Sequence, residues 1–170
     1  NIEDYYVNPF ELGYDFYIGW KKSDFIGKEA LLKMKEQKNR KKVTFEWNRE
    51  DVLKVIGSAF EQGTPYKWID FPQPNYASSS ADMVLHNGKM VGMSMFNGYS
   101  FNERCVLSLG VVDADIQEGD VLTMLWGEPE PTAKTSTEQH KQAEIRVRVS
   151  PTPYARDARE NYAESWRTKR

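Results

Sequence analysis

Tyr14, Phe16 and Ile18 alternate with Asp15, Tyr17 and Gly19, a period of two that predicts a short half-buried strand near the start of the chain. Ser23 or Asp24 then offers an N-cap for a helix with Leu31, Leu32 and Met34 on its apolar side and Lys33, Lys35, Glu36 and Lys38 on its wet side. The run "KNRKK", Lys38 to Lys42, sits where that helix should end, and cations favour the carbonyl end of the helix dipole, so it reads as a solvated helix end rather than a phosphate patch. "KVTFEW", Lys42 to Trp47, alternates again and is rich in β-formers, which makes it the first strand of a new unit and puts a domain boundary near Arg40. Asn48 is an N-cap for a helix in which Val52, Val55, Ile56, Ala59 and Phe60 recur at helical spacing, with Gly63 as the stop. Asp70 to Ser80, with two prolines and three serines, reads as a loop.

From Asp82 onward the pattern turns to antiparallel β. Asn87-Gly88 lies between two apolar runs, a strong hairpin signal because both residues tolerate positive φ. Further strands follow at Arg104 to Asp113, at Val121 to Trp126, and at "AEIRVRVS", where Ile145, Val147 and Val149 alternate with Glu144, Arg146 and Arg148. "DADIQEGD" is turn-like, and Gly127 to Lys141 forms a polar flap before the last strand. Five or six short strands without crossover helices predict a small barrel or a sandwich. Beyond Pro151, Tyr154, Ala158, Tyr162 and Trp166 fall four apart, predicting a C-terminal amphipathic helix. Its aromatic stripe belongs either against the protein's own body or against a domain absent from this chain.

Composition narrows the partners. The 23 basic and 25 acidic residues among 170 leave a formal charge of -2, which argues against nucleic acid or an anionic membrane and favours a small neutral ligand or a protein. Cys105 is the single cysteine, so an internal disulfide and a thiolate zinc cluster are excluded and a reducing, cytoplasmic setting is expected. His86 and His140 are too few for a histidine-built metal site, and no apolar run approaches the ~20 residues of a membrane span. The chain opens without methionine inside the aromatic, acidic stretch "NIEDYYVNPFELGYDFYIGW", which suggests a piece of a longer polypeptide; a processed N-terminus is the alternative.

Little of this is catalytic in pattern. Cys105 shares its side of a strand with Leu107, Leu109 and Val111 and reads as a small buried hydrophobe. Neither histidine has a serine or cysteine partner suggested by spacing. Asp113, Asp115, Glu118 and Asp120 lack the central glycine and terminal glutamate of a calcium loop and read as a solvated turn. Gly88, Gly92 and Gly98 do not precede a helix as a phosphate cradle would. "NGYSFNER", Asn97 to Arg104, is richer: it holds more directional hydrogen-bonding groups than a turn requires, and loops on β scaffolds carry binding residues. A surface loop with a packed Tyr99 stands level with that reading.

The order of "NPFELGYDFYIGWKKSDFIGKEALLKM", "KVTFEW", "GKMVGMSMFNGYSFNERCVLSLGVVD", "EGDVLTMLWGE" and "IRVRVSPTPY" resembles the C-terminal part of the glycine-cleavage T-protein (aminomethyltransferase) family of tetrahydrofolate-dependent enzymes. The "DFIGKEAL" element is the most specific of these. "SMFNGYSFNER" departs from the family's usual threonine-serine-glycine turn, and the long tail departs too. Both look more like the relatives that demethylate methoxylated aromatic acids, of the vanillate and syringate O-demethylase type. The resemblance implies a mainly β fold, a small antiparallel barrel at residues 41–153, after a strand-helix remnant of the folate-binding domain at 1–40 and before a C-terminal helix at 154–170. It implies tetrahydrofolate as cofactor, bound mainly by preceding domains of the same chain, and a small methyl or aminomethyl donor. Tyr99, Asn102 and Arg104 are then walls or anchors of the folate tail, the catalytic residues stay unassigned, and the fragment alone is expected to be inactive. The alternatives are a glycine-cleavage aminomethyltransferase proper and a non-catalytic β module binding a protein through its aromatic tail and Ser/Pro loop.

Overall fold

The computed structural model describes residues 2–37, 39–71, 81–129 and 137–162. Six strands, β1 (Lys41–Trp47), β2 (Asp82–His86), β3 (Lys89–Ser100), β4 (Cys105–Val112), β5 (Val121–Trp126) and β6 (Ala143–Ser150), close into a barrel in the order β1-β4-β3-β2-β5-β6. Every pairing is antiparallel. Helix α1 (Lys28–Lys35) precedes the barrel, α2 (Arg49–Gly57) follows β1, and α3 (Arg156–Glu160) follows β6.

The barrel interior follows from strand alternation. Val43, Phe45 and Trp47 of β1, Leu122, Met124 and Trp126 of β5, and Ile145, Val147 and Val149 of β6 are all at most 3% exposed. On β4 the inward set is Val106, Ser108, Gly110 and Val112, and the small residues there make room: a Cβ on Gly110 would stand 2.2 Å from the Phe45 ring. The buried hydroxyls are satisfied, since Ser94 Oγ donates to Ser108 Oγ at 2.7 Å and Trp47 Nε1 donates to the same Ser108 oxygen at 2.9 Å. The β2–β3 hairpin turns at Asn87 (φ 52°) and Gly88 (φ 76°), both left-handed, as its sequence predicts.

The ends of the chain depart from expectation. Tyr14 to Ile18 is not a strand: Asp15–Tyr17 is a 3-10 turn, with Phe16 71% and Tyr17 74% exposed. Alternation makes a strand only where a partner supplies the ladder, and among the described residues none pairs with it. Helix α1 starts at Lys28, not at Ser23 or Asp24, because Gly27 (φ 88°) takes the cap position. It ends at Lys35, and Arg40 is not a solvated helix end. Its Nε donates to Glu11 Oε1 at 2.9 Å, its Nη1 to the Asp4 carbonyl at 2.7 Å, and its Nη2 to the Tyr6 carbonyl, clasping the N-terminal segment to the start of β1. Helix α2 stops at Gly57 and continues as a 3-10 turn, so Phe60 is 84% exposed rather than on a buried stripe. The C-terminal helix is only one turn long among the described residues, Tyr162 is 72% exposed, and Trp166 lies outside them. Parts of the Ser/Pro loop (72–80) and of the polar flap (130–136) also lie outside them; the flap's return is bridged at Lys141 to Tyr66.

Gly110→Ala should therefore destabilise the barrel by at least about 2 kcal/mol, since the added methyl would also meet the Met93 carbonyl at 2.7 Å. Gly57→Ala, on helical φ with nothing within 4 Å of the new methyl, should be neutral or slightly stabilising. Urea midpoints of the two variants, read beside the parent, check both.

Candidate functional site

Where β1 runs out, the chain turns at once into α2. Asn48 caps it, accepting from the Glu50 and Asp51 amides at 3.0 and 3.1 Å through its side-chain oxygen. Asp51 then binds Arg146 of β6 through both carboxylate oxygens, each at 2.8 Å, and accepts from the Arg146 amide at 2.9 Å. The Arg146 side chain, foremost through its hydrogen bond, holds the Asp51 carboxyl below its usual range, against a partial burial that pulls the other way. These bonds fix α2 against the barrel mouth and make one wall of a cleft.

The opposite wall is the β3–β4 turn. Asn97, 7% exposed, donates to the Asp70 carbonyl at 3.4 Å, and beside it the Phe71 and Tyr99 rings meet edge to face with centroids 6.5 Å apart. At the end of the turn Arg104 adopts φ 56°, a left-handed conformation costly for a residue with a side chain, and its guanidinium carbon lies 4.0 Å from the centre of the Phe101 ring. The cleft between the walls has a volume of about 840 Å³. Its apolar lining includes Val52 and Leu53 from α2, Val106 from β4 and Val121 from β5.

Of the three residues singled out from sequence, Tyr99 and Arg104 both line this cleft, whereas Asn102 sits exposed in the turn and is not part of the lining. Phe71, Glu46, Arg49 and Arg148 also line it and were missed. Glu46 and Arg148 are directly opposed across β1 and β6, and each stood on the polar side of an alternating strand, so their shared face was readable once the strands were paired.

Cys105 differs from its expectation. It is half-buried on the outer face of β4 beside Leu107 and a 38% exposed Leu109, not in the core; of that set only Val111, at 1%, is fully buried. Partial burial, and then the Glu46 charge, push its thiol up, so it stays protonated near neutral pH. Tyr154 donates to Glu46 Oε2 at 3.0 Å and is likewise pushed up, by burial first and then by that bond. Cys105 lines the cleft, whereas Tyr154 lies outside its lining. Among the described residues no group of three or more histidine, cysteine, aspartate or glutamate side chains could hold a metal ion, and no helix is long and apolar enough to cross a membrane.

Asp51 has its lowered carboxyl only in the folded state, so its contribution to stability is full above the ordinary aspartate range, near about pH 4, and disappears as pH falls through the lowered value. Asp51→Asn should accordingly lower the urea midpoint at neutral pH and make a smaller difference at about pH 2.5. Equal losses at the two pH values would refute the ion pair as the cause.

No family model matches the chain. A syringate O-demethylase of Sphingobium sp. (strain NBRC 103272 / SYK-6) is 41% identical over 172 aligned positions, which take in 100% of this chain and 37% of that protein. A sesamin methylene transferase of Sinomonas sp. (strain No.22) is 35% identical over 166 positions, 91% of this chain and 34% of that protein. The chain thus spans about a third of the length of the curated relatives it matches.

Proposed function

From the premise that this chain is a relative of syringate O-demethylase and sesamin methylene transferase, we propose that it is the barrel part of an enzyme that moves a one-carbon group from an aromatic ether to tetrahydrofolate. The observation that carries the reading is the match to the syringate O-demethylase along the whole chain. In this reading, residues 1–40 close a folate-binding domain, 41–153 form the barrel, and 154–170 are a tail that packs on a neighbouring domain. The exposed aromatic side chains of the N-terminal segment, Phe16 and Tyr17 above all, fit a surface covered by preceding domains of the same chain.

Tetrahydrofolate, when bound, supplies the nitrogen that accepts the one-carbon group. This chain fits a supporting role towards it. Arg104, its guanidinium over the Phe101 ring and without a carboxylate partner among the described residues, is suited to a carboxylate of the folate tail. Tyr99 offers a half-exposed aromatic face for the ring next to it. Asn102, exposed in the same turn, is the weakest of the three contributors. A methyl ether has a poor leaving group, so a donor acid must meet the departing phenolate, and we assign that acid to the rest of the enzyme.

In the longest natural protein containing this chain, Arg104→Ala should raise the dissociation constant for tetrahydrofolate about tenfold, the size of one charge-assisted hydrogen bond. Tryptophan fluorescence titration reads it directly. An unchanged constant would remove Arg104 from the folate site, and absence of folate binding by the unsubstituted protein would overturn the reading as a whole.

A further inference from the structure

Away from the cleft, between the end of β5 and the return into β6, the chain buries an ionisable group. His140 is 6% exposed. Its Nδ1 lies 2.8 Å from the Glu138 carbonyl, and because a carbonyl only accepts, Nδ1 carries the proton and donates it. The other ring nitrogen, Nε2, is buried without a hydrogen-bond partner among the described residues, and Glu128 Oε2 stands 3.5 Å from it. In the neutral imidazole two acceptors therefore face one another where water does not reach. A second proton turns the same contact into a charge-assisted hydrogen bond. The charged groups set against the ring come from two directions, Glu128 after β5 and Lys67 from the segment that leads to Phe71, while Glu138 and Lys141 on its own segment are exposed. Lys67 Nζ lies 2.8 Å from the same Glu128 oxygen, so the carboxylate sits between two nitrogens. Gly127 (φ 101°) lets the backbone pass close by: a Cβ there would stand 3.0 Å from His140 Nε2 and 3.2 Å from Lys67 Cβ.

We propose that a proton on His140 Nε2, donated to Glu128, latches residues 137–142 against residues 65–67, and that raising the pH removes the proton and releases the latch. The backbone joins these segments by an isolated bridge only: the Lys141 amide donates to the Pro65 carbonyl at 2.7 Å and the Lys67 amide to the Lys141 carbonyl at 3.3 Å. Histidine is the side chain that changes charge between about pH 5 and 8, so the contact strengthens at the acid end of that window and is lost at the alkaline end. Phe71, in the wall of the cleft, follows Lys67 by four residues and loses anchorage with the bridge. The barrel strands, hydrogen-bonded on both sides, keep theirs. The latch works whatever the cleft binds.

Hydrogen exchange read by mass spectrometry, on the longest natural protein containing this chain, tests the latch. Peptides over residues 64–68 and 137–142 report the bridge, and peptides over β6 report the barrel. After correction for the intrinsic pH dependence of exchange, protection at the bridge should fall about tenfold between about pH 5.5 and about pH 8.5, the size of one charge-assisted hydrogen bond, with β6 unchanged. His140→Gln has no charge to lose in that range and should abolish the fall. Glu128→Gln keeps the shape of the acceptor without its charge and should cut the fall to about threefold or less. Protection that ignores pH in the parent, the same tenfold fall in either variant, or a parallel loss over β6 overturns the proposal. If His140→Gln does not fold, the comparison of Glu128→Gln with the parent decides alone.

Discussion

Strand β1 is the constraint on which the rest depends. It is the closing strand, hydrogen-bonded to β4 from Lys41 to Glu46 and to β6 from Thr44 to Trp47, so the barrel has no free edge while it is in place. The strand and the residues that flank it do three other things. Arg40, just before it, holds the N-terminal segment; Glu46, on its outer face, receives the Tyr154 hydroxyl of the returning tail; and Asn48, just after it, starts the helix that walls the cleft. A strand so placed couples closure of the core to assembly of the surface around it.

What lets β1 close is an exchange of size against polarity inside the barrel. Phe45 fills the space that Gly110 vacates, and Trp47 reaches Ser108 with its indole N–H instead of carrying an unsatisfied donor into the core. The edge-to-face contact of Trp47 with Trp126, centroids 5.3 Å apart, then ties β1 to β5 across the interior. Trp126 in turn donates to the Lys67 carbonyl at 2.9 Å, fixing the segment that runs on towards Phe71. A route of buried contacts thus leads from the closing strand to the aromatic wall of the cleft.

Local chemistry was legible and distant chemistry was not. Asn87-Gly88, the Asn48 cap and the alternation of β5 and β6 each declare themselves within a few residues, because turn, cap and pleat are set by neighbours in sequence. Tyr14 to Ile18 carried the same period as a strand yet formed none, since periodicity says which faces exist and not whether a partner lies alongside. Glu11 and Arg40 are 29 residues apart, and nothing between them marks the pair. The site shows the same division. Tyr99 and Arg104 were visible as an over-equipped turn; Phe71 joined them only through the fold, and Asn102, indistinguishable in sequence, was turned away from the cleft by the geometry of the turn. The relatives at 41% and 35% identity support the methyl-transfer character that the resemblance implied.

The Arg40 clasp has a consequence for how such sequences diverge. Two of its acceptors are main-chain carbonyls, of Asp4 and Tyr6, and only Glu11 is gripped through a side chain. Burial alone would discourage a charge at Glu11, yet the Arg40 bonds and the Asn8 amide keep it ionised. Drift at positions 4 and 6 therefore costs this clasp nothing so long as the backbone path is kept, whereas positions 11 and 40 can change only together. Among descendants of this gene, that pair should be inherited as a unit while the residues flanking it wander.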